Sequence, residues 1–234
     1  YGQVRDMDFW IKFCESHNIF LIEDCAQSHL ATWQGQVAGS FGKAGAYSFY
    51  PTKNLGALGD GGMLVTNDDG LAERTSRLRN YGQIVRYHHP EIGMNSRLDE
   101  IHAAMLQVRL KWLPEFTLRR QEIAQKYMQG IQHASLHKLV APQEATAHVY
   151  HLYVITCEQR YALQKHLESC GVQTHCHYPV PVHHQESCKD IRRDPQGLAV
   201  SERHAKTCLS LPCHPQMSDE DVDFVIDTVN QFKG

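Results

Sequence analysis

A single lysine follows a short aromatic strand in residues 48–56, which read SFYPTKNLG. This residue, Lys53, lies close to a proline and to small residues, and Ser48 precedes it by five positions. A second apolar run, residues 19–22, leads into Asp24. Short apolar strands of this kind are typical of parallel sheets covered by helices, and the ligands of such sheets bind at the carboxyl ends of the strands. We therefore expect an α/β protein whose functional site contains Asp24 and Lys53.

An amine, a carboxylate and a hydroxyl at strand ends are the groups needed to hold pyridoxal phosphate (PLP). Lys53 would form the Schiff base, and Asp24 would pair with the pyridinium nitrogen, which makes the ring an electron sink. Ser48 would bind the phosphate, and Gln27 would contact the ring hydroxyl. A lysine attacks an aldehyde only when it is unprotonated, so partial burial would favour this role by lowering the pKa of Lys53. Together these residues predict an enzyme.

Each of these residues also has an ordinary structural explanation. Most lysines lie in surface turns, and Lys53 fits that description too. Asp24 is also a suitable N-cap for a helix. Gln27 could simply face water, and Ser48 could satisfy a neighbouring backbone group. The residues alone leave these alternatives open.

The composition argues against several other classes of protein. The chain has 234 residues, 42% of them hydrophobic and 21% charged, which is usual for a globular protein with one large or two modest domains. A net charge of -3 and the lack of a Lys/Arg run give no reason to expect nucleic acid. No apolar stretch approaches the roughly 20 residues of a membrane span, so no membrane partner is expected. The eight cysteines form no C-x-x-C pair and predict reduced thiols and a cytoplasmic location.

Competing motifs are weak. The glycines of residues 56–62 do not form the G-x-G-x-x-G pattern of dinucleotide-binding proteins, and the chain has no P-loop or H-E-x-x-H motif. Histidines and cysteines concentrate in one segment, at His175, Cys176, His177, His183, His184 and Cys188. Their spacing matches no common zinc motif, and alternation along a strand would place Cys176 on the side opposite its two histidine neighbours. We therefore predict no metal site.

Hydrophobic periodicity predicts two domains, residues 1–113 and residues 114–234, with Pro114 interrupting a helix at the boundary. The predicted strands are residues 19–22, 46–49, 63–66, 149–156 and 172–177. The predicted helices lie around residues 7–14, 71–78, 101–112, 123–131, 160–170 and 222–232. A capping signal at Ser218 marks the start of the last helix.

Longer motifs occur in residues 21–27 (LIEDCAQ), 48–62 (SFYPTKNLGALGDGG), 93–100 (GMNSRLDE), 177–183 (HYPVPVH) and 209–212 (LSLP). In this order they resemble the motifs of the DegT-type nucleotide-sugar aminotransferases, and the resemblance covers nearly all of the chain. It implies the fold of PLP-dependent transferases of fold type I, similar to aspartate aminotransferase. That fold has a large α/β domain with a mixed, mostly parallel sheet and a small C-terminal α/β domain.

The resemblance assigns PLP binding to Asp24, Gln27, Ser48, Lys53 and Asn95. Lys53 would be both the Schiff-base residue and the proton shuttle, and Asp24 would pair with the pyridinium. Asn95 would reach the phosphate bound by the neighbouring subunit, so that a homodimer would complete each site. The resemblance places three further residues in a loop that approaches the sugar nucleotide: His177, Tyr178 and His183.

The implied reaction transfers an amino group from glutamate to a keto-deoxysugar nucleotide in amino-sugar biosynthesis, for example of lipopolysaccharide O-antigen. The proline-rich loop of residues 177–183 looks most like that of enzymes that aminate C3 of a dTDP-linked sugar. Related proteins with histidine in place of the lysine are dehydratases, so Lys53 favours transamination. The alternatives are a non-catalytic regulatory protein of this fold, an inactive fragment and, from a different class, a metal-binding module built on the histidines.

The chain departs from the family pattern in two places. Relatives usually carry glycine where this chain has Leu30, and the larger side chain would crowd the turn near the cofactor. Family members also carry a leading segment, with part of the central sheet, that precedes the region matched by residues 1–234. We therefore expect the chain to be an N-terminally truncated fragment of an enzyme.

Overall fold

The computed structural model describes residues 1–234, which form two compact units. The N-terminal unit comprises Gly2–Leu118 and Pro142–His151, and the C-terminal unit comprises Tyr1, Arg119–Ala141 and Leu152–Gly234. The sequence-based division between residues 113 and 114 remains a prediction for the domains of the protein. Periodicity gave no indication that Pro142–His151 belongs with the N-terminal unit.

The N-terminal unit contains five strands and three complete helices, and a fourth helix begins in it. In chain order these are α1 (Met7–Ser16), β1 (Ile22–Asp24), β2 (Thr32–Trp33), β3 (Gln36–Val37), β4 (Ala44–Ser48), β5 (Gly62–Val65), α2 (Asp69–Leu78), α3 (Glu100–Leu110) and α4 (Leu113–Gly130).

The C-terminal unit contains the rest of α4, three strands and three further helices. These are β6 (Leu136–Lys138), β7 (Tyr153–Cys157), α5 (Arg160–Ser169), α6 (Ala199–Thr207), β8 (Cys208–Leu211) and α7 (Asp219–Asn230). Two short 3₁₀ turns, Val182–His184 and Glu186–Cys188, lie between α5 and α6, and a third, Ala145–Ala147, belongs to the N-terminal unit.

The principal sheet of the N-terminal unit is mixed, as predicted, with strand order β1-β4-β5. β1 pairs with β4 in parallel, with Ile22 opposite Ala44 and Asp24 opposite Ala46. β5 pairs with β4 in the antiparallel sense. Of the two pairings in this sheet, one is therefore parallel and one antiparallel.

The prediction of a fully buried strand at residues 19–22 was wrong. The Ile19 amide still bonds the Cys14 carbonyl at the end of α1, so the chain only enters the sheet at Ile22. Ile22 is 68% exposed, and Glu23 is the buried residue of β1. A run of four apolar side chains gives the position of a strand only to within a few residues, because helix ends and strand starts use the same residue types.

The buried Glu23 side chain organises the loop that leads into β4. Its carboxylate accepts hydrogen bonds from the backbone amides of Gly39 at 2.6 Å and of Phe41 and Gly42 at 2.8 Å each. Three amide donors satisfy a carboxylate that burial would otherwise destabilise. This loop also packs closely, since a Cβ on Gly45 would lie 2.4 Å from the Gly39 Cα.

A hydrophobic core in the N-terminal unit anchors the segment around Lys53. It consists of Phe49, Leu55, Ala57, Leu106 and Leu113. Phe49 directly follows β4, and its carbonyl accepts a hydrogen bond from the Ala57 amide at 2.8 Å. That bond closes residues 50–56 into a short loop whose two ends are both buried.

The helix break predicted near Pro114 is present. α3 ends at Leu110, and Pro114 lies in the first turn of α4, where the missing amide proton of proline costs no helical hydrogen bond. α4 has 18 residues and is the longest helix. Neither α4 nor any other helix has the combination of length and apolar character needed to cross a membrane.

The C-terminal unit is built on an antiparallel sheet of order β6-β7-β8. The predicted capping signal is confirmed, because Ser218 and Asp221 form a reciprocal capping box at the start of α7. The predicted strand at residues 172–177 was wrong, since only His175 makes a single bridge, to Ser210. The strand predicted at residues 149–156 is β7, which begins four residues later, and β6, β8 and α6 were not predicted.

The Leu30 backbone adopts a left-handed conformation, with φ of 67°. A side chain costs about 1–2 kcal/mol in this region, whereas glycine enters it without penalty. The expectation that relatives place glycine at this position thus has a physical basis. The Leu30 side chain packs against the core around Phe49, which offsets part of the strain.

We predict that Leu30→Gly is more stable than Leu30→Ala by about 1 kcal/mol. Both substitutions remove the packed side chain, and only glycine also relieves the strained backbone. Urea unfolding of the two variants measures the difference. Equal stability, or a more stable alanine variant, would contradict a left-handed Leu30.

Candidate active site

The pairing of β1 with β4 brings the predicted cofactor-binding residues to one edge of the sheet. Asp24 ends β1 opposite Ala46, and the next amide, that of Cys25, bonds the Ala46 carbonyl at 2.8 Å. Ser48 ends β4 two residues beyond Ala46, and the loop that carries Lys53 follows. Since the strands are parallel, their carboxyl ends meet, as the sequence predicted.

Asp24 is exposed, and its side chain stabilises the turn that follows β1. Its Oδ1 accepts a hydrogen bond from the Ala26 amide at 3.0 Å. No helix starts after Asp24, so the alternative explanation of a helix N-cap was wrong. The two adjacent carboxylates face opposite ways, with Glu23 buried and Asp24 accessible to a ligand.

Lys53 lies close enough to Asp24 for their charges to interact. Burial lowers the pKa of the Lys53 ammonium below its usual value, and the Asp24 carboxylate opposes that shift. Lys53 forms no salt bridge, unlike the exposed Lys43, which pairs with Asp68. Because burial has the larger effect, Lys53 carries more unprotonated amine near neutral pH than an ordinary surface lysine.

His29 lies beside this lysine and was missed by the sequence reasoning. Its ring is 96% buried, with ring centroids 5.1 Å from Tyr47 and 6.1 Å from Phe49. Burial and, to a smaller extent, the Lys53 charge lower the pKa of His29 to about 4. The polar backbone of Ser48 has a smaller, opposing effect on this pKa. Neither ring nitrogen makes a hydrogen bond of ordinary geometry. The only signal in the sequence was its position two residues after Gln27.

Asn54 and His151 form a buried polar link next to Lys53. The Asn54 amide nitrogen donates to the Val149 carbonyl at 3.1 Å, and its oxygen lies 3.2 Å from Nδ1 of His151. Both side chains are at least 91% buried. These contacts tie Pro142–His151 to the lysine loop, and no local sequence pattern predicted a pairing over 97 residues.

Ser48 and Gln27 of the predicted cofactor set also lie in the N-terminal unit. Ser48 Oγ accepts a hydrogen bond from the Tyr50 amide at 3.2 Å, so it does satisfy a neighbouring backbone group. That contact leaves the hydroxyl hydrogen available as a donor. Gln27 is half-buried rather than facing water freely.

Asn95 lies in a different segment of the same unit. Its backbone forms an isolated β-bridge with Asn80, and its side-chain Oδ1 accepts a hydrogen bond from Nε of Arg97 at 3.1 Å. A groove of about 960 Å³ between β5 and α2 includes Arg97 in its lining, but it contains neither Lys53 nor Asp24. The role of Asn95 across a subunit boundary remains a prediction.

The three residues predicted to contact a sugar nucleotide all belong to the C-terminal unit. His177 Nδ1 lies 2.8 Å from Ser210 Oγ, and the His177 carbonyl accepts a hydrogen bond from the Tyr1 hydroxyl. Tyr178 is 59% exposed. His183 Nε2 lies 3.3 Å from a carboxylate oxygen of Glu202.

A partly buried lysine beside a carboxylate, at the carboxyl ends of paired strands, defines an α/β protein with an activated amine. A family model for the DegT/DnrJ/EryC1/StrS aminotransferases matches residues 1–230. The chain belongs to this family. Its fold is therefore that of PLP-dependent transferases of fold type I, and the aminotransferases of the family depend on PLP.

The matched relatives include proteins with different descriptions. The chain is 42% identical over 229 residues to the erythromycin biosynthesis sensory transduction protein EryC1 of Saccharopolyspora erythraea, covering 98% of this chain and 63% of that protein. It is 42% identical over 232 residues to the dTDP-3-amino-3,6-dideoxy-alpha-D-galactopyranose transaminase of Aneurinibacillus thermoaerophilus, covering 99% and 63%.

The fold also matches a crystal structure of S. venezuelae DesV, described as a complex with a ketimine intermediate. The TM-score is 0.93 at 39% identity, and the match covers 99% of this chain and 62% of DesV. The chain thus spans somewhat less than two thirds of the length of these relatives.

The residues present fit PLP. The donor set comprises an amine of lowered pKa, an accessible carboxylate and a hydroxyl with a free hydrogen. The uncharged ring of His29, with no ordinary hydrogen bond at either nitrogen, adds an unsatisfied polar group beside them. Such a group is expected where a ligand completes a site.

Asp24→Asn should lower the pKa of Lys53 further, because the carboxylate is the charge that raises it. The rate at which an amine-specific reagent labels Lys53 in PLP-free protein, followed by peptide mass spectrometry across pH, reports this pKa. Glu73→Gln removes an exposed charge on α2 that has no part in the shift and should change nothing. An unchanged or raised pKa in Asp24→Asn would show that the two groups do not interact.

The lowered pKa of His29 predicts a loss of stability in acid. Its pKa is about 4 in the folded protein against 6.5 in the unfolded chain, so the unfolded state binds more protons between these values. Stability should therefore fall as pH drops below 6.5, by about 2 kcal/mol between pH 7 and pH 5 from this residue alone. Urea unfolding at both pH values should show a smaller fall in His29→Gln. Equal falls in the two proteins would mean that His29 titrates normally.

Proposed function

We propose that the protein is a PLP-dependent aminotransferase that moves an amino group from glutamate to a keto-deoxysugar nucleotide. The observation that carries this proposal is Lys53, a lysine of lowered pKa next to Asp24 at the carboxyl ends of paired strands. Membership of the family and the transaminase names of relatives support it. When bound, PLP supplies an electron sink for negative charge on the carbon beside the transferred nitrogen.

The side chains divide the work of binding and proton transfer. Lys53 Nζ would hold the cofactor, and the free amine would accept and return the proton that moves at the amino-bearing carbon. The Asp24 carboxylate would keep a proton on the pyridine nitrogen. Ser48 would donate its hydroxyl hydrogen to the phosphate, and Gln27 would contact the ring oxygen. His29 stays uncharged beside Lys53 and so adds little positive charge that would further depress the lysine pKa.

The substrate is proposed to be a dTDP-linked sugar aminated at C3, as the name of the 42% identical transaminase indicates for that protein. His177, Tyr178 and His183 are proposed to contact the sugar nucleotide. Asn95 is proposed to contact PLP in the partner subunit of a homodimer, and the protein is proposed to act in the cytoplasm.

A non-catalytic regulatory protein is the second candidate. The relative EryC1, named as a sensory transduction protein and 42% identical to this chain, favours it. Such a protein needs a pocket but not a reactive amine, so Lys53 weighs against it. Addition of glutamate to the intact protein loaded with PLP separates the two. A visible absorbance band that glutamate removes supports the transferase, and a band that no amino donor changes supports the regulator.

Lys53→Ala should reduce transamination by at least about 10³-fold, because it removes both the attachment point and the proton carrier. Borohydride treatment with PLP should add a pyridoxyl mass to the peptide of Lys53 in the parent protein and to no peptide in the variant. Lys43→Ala, which removes an exposed lysine paired with Asp68, should keep activity and labelling. Substantial turnover by Lys53→Ala would refute the assignment.

A further inference from the structure

A cluster of two histidines and a glutamate lies in the C-terminal unit. His183 and His184 occupy the 3₁₀ turn Val182–His184, and Glu202 projects from α6. Nε2 of His183 lies 3.3 Å from Glu202 Oε1, and Nε2 of His184 lies 3.5 Å from the same oxygen. One ligand atom from each of the three side chains lies within 4.8 Å of the other two.

These distances match the edges of a zinc coordination tetrahedron. Zinc binds imidazole nitrogen and carboxylate oxygen at about 2.0–2.1 Å, so neighbouring ligand atoms in a tetrahedral site are about 3.3 Å apart. Both nitrogen-to-oxygen distances fall within a few tenths of an ångström of that value. The two imidazoles need only approach each other, and the side chain of His184 is 46% exposed and has room to rotate.

The charges of the cluster also suit a divalent cation. No lysine or arginine pairs with Glu202, whose two ionic neighbours are both histidines. Neutral imidazole is a good zinc ligand, and a metal would supply the positive charge that the carboxylate lacks. The side chain of His183 is only 15% exposed, which gives the cluster one ligand held by its surroundings.

We propose that His183, His184 and Glu202 form a zinc site with a fourth position open to water or an added ligand. The spacing of the histidines and cysteines in residues 175–188 predicts no metal site. The third ligand of the proposed site, Glu202, lies outside that segment on α6. Zinc bound here joins the 3₁₀ turn to α6 and engages His183, so metal and a sugar nucleotide would compete for that side chain.

Zinc titration of chelator-treated, intact protein tests the site independently of any transaminase activity. We expect one zinc equivalent to survive gel filtration and competition with a chromophoric chelator. His184→Gln and Glu202→Gln should each weaken that binding by at least about tenfold, since ligand loss costs no less than loss of a supporting contact. His137→Gln removes an exposed histidine outside the cluster and should bind as the parent does. Failure to bind one equivalent, or equal binding by all variants, overturns the proposal.

Cobalt substitution in the parent protein adds a test that needs no variant to fold. A tetrahedral site with nitrogen and oxygen ligands gives visible ligand-field bands without a thiolate charge-transfer band. The half-buried Cys176 and Cys188 flank the two histidines along the chain and are the sulfur ligands to exclude. A thiolate band that accounts for the bound cobalt would place the metal on those cysteines and refute the site. Ligand-field bands that disappear in His184→Gln support it.

Discussion

The parallel pairing of β1 with β4 is the constraint on which the candidate site depends. With Asp24 opposite Ala46, the end of β1 lies beside the end of β4, and the lysine loop begins there. A shift of one residue would turn the Asp24 side chain to the other face of the sheet and bring Glu23 into its place. The register is held from within by the buried Glu23 carboxylate, which bonds three amides of the loop before β4.

The site combines a rigid frame with a few accessible polar groups. Phe49 and Ala57 close the lysine loop over a buried core, and Asn54 ties it to a distant segment. Lys53 is thereby held in a partly buried position and forms no salt bridge. Its pKa falls because the effect of burial is larger than the attraction of Asp24. The chemistry of the amine follows from packing around the loop more than from any single neighbour.

Apolar runs that end in polar residues were sufficient to predict the α/β class and the approach of Asp24, Ser48 and Lys53, because the carboxyl ends of paired parallel strands meet. The mixed sheet was predicted only through the resemblance to the family. It could not predict which carboxylate of the Glu23–Asp24 pair is buried, since that depends on the register. His29 and the pairing of Asn54 with His151 were missed, because such contacts join segments that lie far apart in the chain. The strand predicted at residues 172–177 failed for the opposite reason, since local β-propensity there is matched by only one bridge, from His175 to Ser210.

The central claim is that the sheet edge at Asp24, Ser48 and Lys53 holds PLP. A crystal structure of the intact protein grown with PLP tests it most directly. The account predicts density joining the cofactor to Lys53 Nζ, with the Asp24 carboxylate against the ring nitrogen and the phosphate at Ser48. Cofactor density at another place, or a ring nitrogen that faces no carboxylate, would contradict the account.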